Sequence, residues 1–240
     1  MLTGLLIAGP ASAGEIKADV NADVSVLTDY VWRGQNYGKD GVVQPNFSID
    51  FENGLSLGFW SNYNMDEDRY ANNHLVNEID YTLDYSFKAG IFGLSAGYIF
   101  YDFPRGGGHT EEVYGGVSLD APLSPSLTLY RDVDAIDGTY ISFAVGHDFE
   151  LNDRATLSLF GSLGWGNRAY HKGYFGVEKS SLSDYNIGAA LACAVTKKIT
   201  VTPQVYYSNF VNSDIADAAE AGFYENDGNL YGGVNVSYSF

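Results

Sequence analysis

Three carboxylates stand at even spacing on one stretch of the chain, Glu78, Asp80 and Asp84, with Thr82 between them. If that stretch is a strand, side chains two apart share a face and lie roughly 6–7 Å from one another. Acids so placed can grip a divalent cation, raise one another's pKa values, or stand solvated along a path that cations use. A second group, Asp132, Asp134 and Asp137 ahead of Gly138, offers hard oxygen ligands on a tight turn, as a calcium loop does. Its spacing is one residue off the EF-hand pattern and the distal Glu is missing, so a polar turn is the plainer reading and the metal reading is weak. No motif implies a cofactor.

Acyl-transfer chemistry needs a Ser activated by a His, with a third group orienting the ring. Three of the four histidines, His74, His109 and His171, fall in polar segments with no nucleophile at an informative spacing. His147 has Ser142 nearby, but five residues along a strand put the two on opposite faces. The chain is therefore expected not to be an enzyme. A lipid-modifying activity is the weakest of the alternatives.

The elements that must position these acids are strands. The chain has 240 residues and a net charge of −17. Its mean hydropathy is −0.12, and no apolar run reaches the ~18 residues of a membrane helix. Alternation with a period of two recurs in twelve segments. The first runs from about Val20 to Arg33, with Val24, Val26, Thr28, Tyr30 and Trp32 on one face. The fourth carries Ile79, Tyr81, Leu83, Tyr85 and Phe87 opposite the three acids. The connections alternate in kind. Short ones fall near 52–54, 88–93, 120–126, 150–154 and 195–198, and longer polar ones near 34–42, 64–77, 102–111, 132–139, 166–183 and 211–228. A soluble sandwich has no reason to sort its loops this way, whereas an even-stranded membrane barrel does. The expectation is an all-β fold, a twelve-stranded antiparallel transmembrane β-barrel with both termini periplasmic.

The two ends of the chain point the same way. Leu2, Leu5, Leu6, Ile7 and Ala8 precede Ala11-Ser12-Ala13, an apolar segment followed by an A-x-A site. Residues 1–13 read as a signal-peptide remnant cleaved after Ala13, leaving 14–240 as a single barrel. Leu230, Gly232, Val234, Val236, Tyr238 and Phe240 alternate with small or polar residues to the last position. Tyr238 and Phe240 resemble the signal that the barrel-assembly machinery reads. Cys193, alone, reads as a packed thiol.

With these segments in view, Thr28-Asp29-Tyr30-Val31-Trp32-Arg33-Gly34-Gln35 resembles the first-strand block of the TorF-type porin family of proteobacterial outer-membrane proteins. Gln44-Pro45, Gly54 through Asn62, Gly97-Tyr98 to Tyr101 with Pro104, and Glu112 through Val117 are similar to later strands of that family. The resemblance implies a small porin-like barrel in the outer membrane of a Gram-negative bacterium. It carries over no catalytic residues and no established substrate.

If the aliphatic and aromatic face meets lipid, the other face lines the interior. That face holds Asp23, Asp29, Arg33, Asp50, Glu78, Asp80, Asp84, Glu112, Tyr114 and Asp148 as pore-lining candidates, along with Gln44, Asn46, Glu52, Asn62, Asp132, Asn186, Gln204 and Tyr206. Arg33 is the one basic residue assigned to it. A tube lined by one sign of charge concentrates counter-ions, so a pore of this kind leans toward cations or neutral solutes. The expected function is a channel for small hydrophilic solutes. A non-conducting barrel serving adhesion or envelope assembly remains the alternative, because inward loops can occlude a lumen of this width. Expected partners are outer-membrane lipid and lipopolysaccharide, which the acidic run Asp66-Glu67-Asp68 can meet through divalent ions, the assembly machinery and the solute. Nucleic acid is excluded by charge.

Overall fold

Alternation gives each strand one apolar and one polar face, and only a sheet without a free edge also pairs every strand's backbone groups on both sides. The computed structural model describes residues 17–65, 76–104, 107–222 and 228–240. Its strands are β1 (Ala18–Leu27), β2 (Tyr30–Trp32), β3 (Gln35–Gly38), β4 (Val42–Phe51), β5 (Leu55–Asn64), β6 (Val76–Ala89), β7 (Phe92–Phe103) and β8 (Gly108–Leu119). They continue as β9 (Ser126–Asp132), β10 (Thr139–Asn152), β11 (Ala155–Gly166), β12 (Ser181–Ala194), β13 (Ile199–Phe210) and β14 (Gly228–Ser239). Two helices, α1 (Arg168–Phe175) and α2 (Ser213–Gly222), lie in the connections before β12 and β14. Among the described residues no helix is long and apolar enough to cross a membrane.

Twelve of the strands close a barrel, every neighbour antiparallel, in the order β1-β14-β13-β12-β11-β10-β9-β8-β7-β6-β5-β4. Closure is made where β1 meets β14, from Asn21 opposite Ser239 to Leu27 opposite Gly233. The tight connections and both described ends of the chain lie at one rim, the terminus rim. The long connections lie at the other, the loop rim. The twelve-strand expectation holds. The signal-peptide reading of residues 1–13, His74 and Asp66-Glu67-Asp68 lie outside the described residues.

The outer surface is the apolar one. Val24, Phe47, Leu57, Tyr81, Leu83, Tyr85, Phe87, Val113, Leu129, Phe143, Ile187, Val205 and Val236 are all exposed on the wall. The core is inside the tube, and it is largely polar. Gln44, Asn62, Asn64, Glu78, Thr110, Glu112, Asp132, Asp184 and Ser208 are buried there. Buried polar groups are tolerated only with partners, and here they supply one another. Gln44 donates to Asn62 at 3.0 Å, and Asn62 donates to Asn64 and Asn77 at 2.7 and 2.8 Å.

Two local expectations need correction. The first wall strand ends at Leu27 rather than Arg33, and Tyr30 and Trp32 do not face outward. Residues 30–38 instead form a separate two-stranded hairpin, β2 with β3, which folds into the lumen. The alternation continues through it because a stopper inside a barrel needs large side chains on both faces, so a period of two does not separate it from wall. The connections at 166–183 and 211–228 are not simply polar loops. Each carries a helix, and Phe210, Ile215 and Ala219 make a small apolar core between them, with Phe175, Val177 and Ala216 against it.

Candidate functional site

The chain turns inward at Thr28, whose N–H donates to the carbonyl of Gly232 at 2.9 Å and whose hydroxyl accepts from the Gly232 N–H at 3.2 Å. The hairpin that follows reverses at Arg33 and Gly34, both with positive φ (48° and 83°). Two such residues in succession are the geometry of tight hairpin turns that match strand twist. Glycine adopts it freely, but an arginine does so at a cost. The result is a guanidinium delivered across the lumen from the tip of the hairpin.

On the far wall it meets Glu112 of β8. Arg33 donates from Nη1 to Oε1 and from Nη2 to Oε2, each at 2.8 Å, a bidentate pair whose side chains are 8% and 3% exposed. Tyr101 of β7 donates its hydroxyl to Glu112 Oε2 at 2.9 Å. Aromatic rings surround the guanidinium, with Cζ 4.2 Å from the centroid of Trp32, 4.3 Å from Tyr140, 4.6 Å from Tyr130 and 5.9 Å from Tyr170. A delocalised, weakly hydrated cation suits such rings and such a carboxylate.

Further fastenings spread from this centre. Tyr30 donates to Glu78 at 3.1 Å. Asn36 donates to Asp29 at 2.9 Å and to Asn229 of β14 at 3.0 Å. Tyr140 donates to Asp184 of β12 at 3.0 Å. From the loop rim α1 closes over the hairpin. Its cap Asn167 accepts from the Tyr170 N–H at 2.8 Å, and it ends at Gly176 with φ 71°. Tyr170 packs on Tyr140 (centroids 5.2 Å apart) and Tyr174 on Trp32 (5.5 Å). His171 is fully buried, and its Nδ1 lies 2.7 Å from the Lys179 carbonyl. Burial holds its imidazole below the ordinary pKa, with Lys179 beside it, and the bond to that carbonyl opposes the shift.

The lumen thus has two unlike halves. Toward the loop rim the hairpin and α1 occupy it, beside a cavity of about 650 Å³ at the hairpin's root next to Thr28, Asp29, Asn36, Asp40 and Asn229. Toward the terminus rim it is hydrophilic and roomy, with a cavity of about 470 Å³ beside Ser86, Lys88, Ser95, Ser118 and Thr128 and another of about 310 Å³ beside Ser126, Asp148 and Ser158. A third, of about 320 Å³, lies against the stopper itself, between Arg33, Tyr101, Tyr130, Tyr140, Ser142 and Asp184.

The candidate lining residues divide between these halves. Asp23 accepts from Asn46 and Asn235 at 2.8 and 2.7 Å. Asp50 accepts from Asn21, Ser48 and Ser56. Asp84 accepts from the Tyr114 hydroxyl at 2.5 Å, and Asp148 from Ser158 at 2.6 Å. Glu78, Asp80 and Glu112 stand beside the stopper, Asp29 lies at its root, and Arg33 is its tip rather than a wall residue. Asp132 has its Oδ1 occupied by the N–H groups of Asp134, Ile136 and Asp137 and its Oδ2 by Thr110, so the turn is held by its own donors. Asp137 pairs with Arg131 and Asp134 with His109. His147 faces outward against Phe149, away from Ser142. Tyr238 and Phe240 meet edge to face, 4.8 Å apart, on the outer face. The aromatic cage of Tyr130, Tyr140 and Tyr170 is not among the sequence candidates. Its signal, tyrosines at inward positions of β9 and β10, is visible only once the register is known.

Comparison with known proteins supplies a family and a fold. The family model described as MltA-interacting protein MipA matches residues 15–240. No curated protein matches. Among solved structures, a NanC porin is similar at 12% identity with a TM-score of 0.55, the match covering 92% of this chain and 100% of that one. A KdgM porin in complex with disordered oligogalacturonate is similar at 14% identity with a TM-score of 0.53, covering 92% and 99%. At such identities the likeness shows the fold alone, a porin-type barrel. The resemblance to TorF-type porins holds at the level of an outer-membrane barrel family, and the family matched is the other one.

Proposed function

The chain belongs to the MltA-interacting protein MipA family, and from that premise we propose that it is an outer-membrane channel of porin type, closed at rest by its own β2–β3 hairpin. Open, it passes small hydrophilic solutes and prefers cations. In this reading the terminus rim faces the periplasm and the loop rim the outside, the apolar wall meets lipid, and lipopolysaccharide surrounds the loops. One observation carries it, the bidentate Arg33–Glu112 pair closing a lumen whose other half is hydrophilic. A barrel needing only to be solid has no use for large cavities beneath a hairpin that is fastened to the wall by side-chain bonds and not by strand pairing. The acids of the lower wall, Asp23, Asp50, Asp84 and Asp148, support the preference for cations.

Single-channel recording in planar bilayers tests it. The natural protein is expected to open rarely, and a variant with residues 30–38 replaced by a short Gly-Ser linker to conduct steadily with a cation-selective reversal potential. Silence in both sinks the channel, and anion selectivity sinks the charge assignment.

The second reading is a non-conducting barrel in envelope assembly. It is favoured by the name of the family, which is that of a protein interacting with MltA, and by the hairpin and helix that occupy the loop half. That reading predicts silence with and without the hairpin, together with retention of such a partner by the hairpin-less variant.

A further inference from the structure

Arg33 is held as a ligand is held. Its two terminal nitrogens each reach one oxygen of a single carboxylate, and its Cζ lies over the Tyr130 and Tyr140 rings. Only Trp32 among those rings travels with the hairpin. Glu112, Tyr130, Tyr140 and Tyr170 belong to β8, β9, β10 and α1, and the Tyr101 hydroxyl holds Glu112 in orientation from β7. When the hairpin lifts, a preformed receptor stays behind.

The chemistry of that receptor is narrow. A fork-to-fork pair is satisfied by a planar cation with two parallel N–H donors; an ammonium offers a point charge and cannot match both oxygens in one plane. Aromatic faces add attraction for a delocalised cation and little for a neutral amide. The cavity of about 320 Å³ adjoins the guanidinium, with Ser142 and Asp184 among its lining, so a solute has room to approach while Arg33 is seated and to place the rest of its body afterwards. The positive φ at Arg33, which an arginine adopts at a cost, marks the tip as a conformation maintained by what the side chain binds.

We propose that the Glu112 cage is a recognition site for small solutes bearing a guanidinium group, and that Arg33 is its tethered internal occupant. Such a solute displaces the tip, and in doing so opens the lumen it then traverses. The binding part stands on the geometry of the cage, and the opening part rests on the channel reading above. A tethered competitor acts at an effective concentration in the millimolar range, so the natural protein binds free guanidinium weakly and a protein without Arg33 binds it well.

Isothermal titration of the purified full chain in detergent micelles tests the site, with methylguanidinium as probe, methylammonium as the charge control and methylurea as the shape control. Arg33→Ala is expected to bind methylguanidinium at least tenfold more tightly than the natural protein does, and to bind neither control. The double variant Arg33→Ala/Glu112→Gln is expected to lose this binding. Should Arg33→Ala fail to fold, Arg33→Lys retains the charge without the fork, still competes as a tethered ammonium, and is expected to show a smaller gain with the same selectivity for methylguanidinium. Equal binding of all three probes, or binding that survives Glu112→Gln, overturns the site. In bilayers, methylguanidinium but not methylammonium is expected to raise the open probability of the natural protein. Tight, selective binding to a barrel that stays silent upholds the site and overturns the opening. A hairpin-less variant that conducts, beside an Arg33→Ala protein that binds nothing, upholds the channel and overturns the site.

Discussion

Tyr30 and Glu78 are joined hydroxyl to carboxylate at 3.1 Å, both buried, and this bond fastens the root of the lumen hairpin as Arg33 fastens its tip. Removing the hydroxyl leaves a buried carboxylate short of one donor, a loss on the order of 1–3 kcal/mol. Tyr30→Phe is therefore expected to lower the urea midpoint of the refolded barrel and to lengthen channel openings, with less effect than any change at Arg33. A midpoint equal to that of the natural protein would mean that water replaces the hydroxyl without loss.

Arg33 and Glu112 are expected to behave as one unit. Breaking a buried pair by removing one partner costs about 3–5 kcal/mol, because the other charge is left uncompensated. Arg33→Ala and Glu112→Gln should each destabilise by such an amount, and the double variant by clearly less than their sum. Strict additivity in the unfolding free energies would show that the two are not coupled.

Gly34 lies at the turn with φ 83°, and a Cβ there would stand 2.7 Å from Phe210 Cε1 and 2.9 Å from Asp184 Cβ. Gly34→Ala should unseat the hairpin, costing about 1–3 kcal/mol and raising conductance. Asn tolerates a left-handed backbone but brings the same Cβ, so Gly34→Asn should fail in the same way. Full retention of the closed state by Gly34→Asn would mean that backbone conformation, rather than crowding, makes glycine necessary.

The seat of α1 is expected to weaken in acid. His171 is held below its ordinary value of 6.5 by burial, so the folded state favours neutral imidazole and the unfolded state takes up the proton more readily. The stability this group confers is complete above pH ~6.5 and is lost progressively as pH falls toward the depressed value, levelling off below it. Trp32 contacts Tyr174 of α1, so its emission should change across that window, and His171→Gln should remove the change.

Selectivity should follow the lower wall. In the hairpin-less background, replacing Asp23, Asp50 and Asp148 by Asn is expected to move the reversal potential toward that of an unselective pore. A reversal potential that does not move would place the conducting path elsewhere.

Strand count and register were legible because a barrel wall has two solvents. Ile79, Tyr81, Leu83, Tyr85 and Phe87 on one side against Glu78, Asp80 and Asp84 on the other leave a single assignment of inside and outside. The hairpin is not separable from wall in the sequence because its residues alternate like wall, although Arg33-Gly34 is a turn and Asp29 interrupts the strand before it. Asn167 and Gly176 carry the start and stop signals of α1, but the helix is only eight residues long and is stabilised by Tyr140, Trp32 and Phe210 from strands and hairpin distant in sequence. No local pattern encodes those contacts. The cage around Arg33 is drawn from β8, β9, β10 and α1, a convergence that only the closed barrel creates.

Asn229 ties the hairpin to β14 from two directions, accepting from the Asn36 amide at 3.0 Å and donating to the Gly34 carbonyl at 3.4 Å. The hairpin is thus fastened by a strand 193 residues further along the chain. Until β14 pairs with β1 these two fastenings are missing, so the hairpin's full set of bonds forms only with the closed barrel. Closing the wall and completing the hairpin's seat are consequently coupled, so a chain whose β14 cannot pair with β1 is expected to hold its hairpin less firmly.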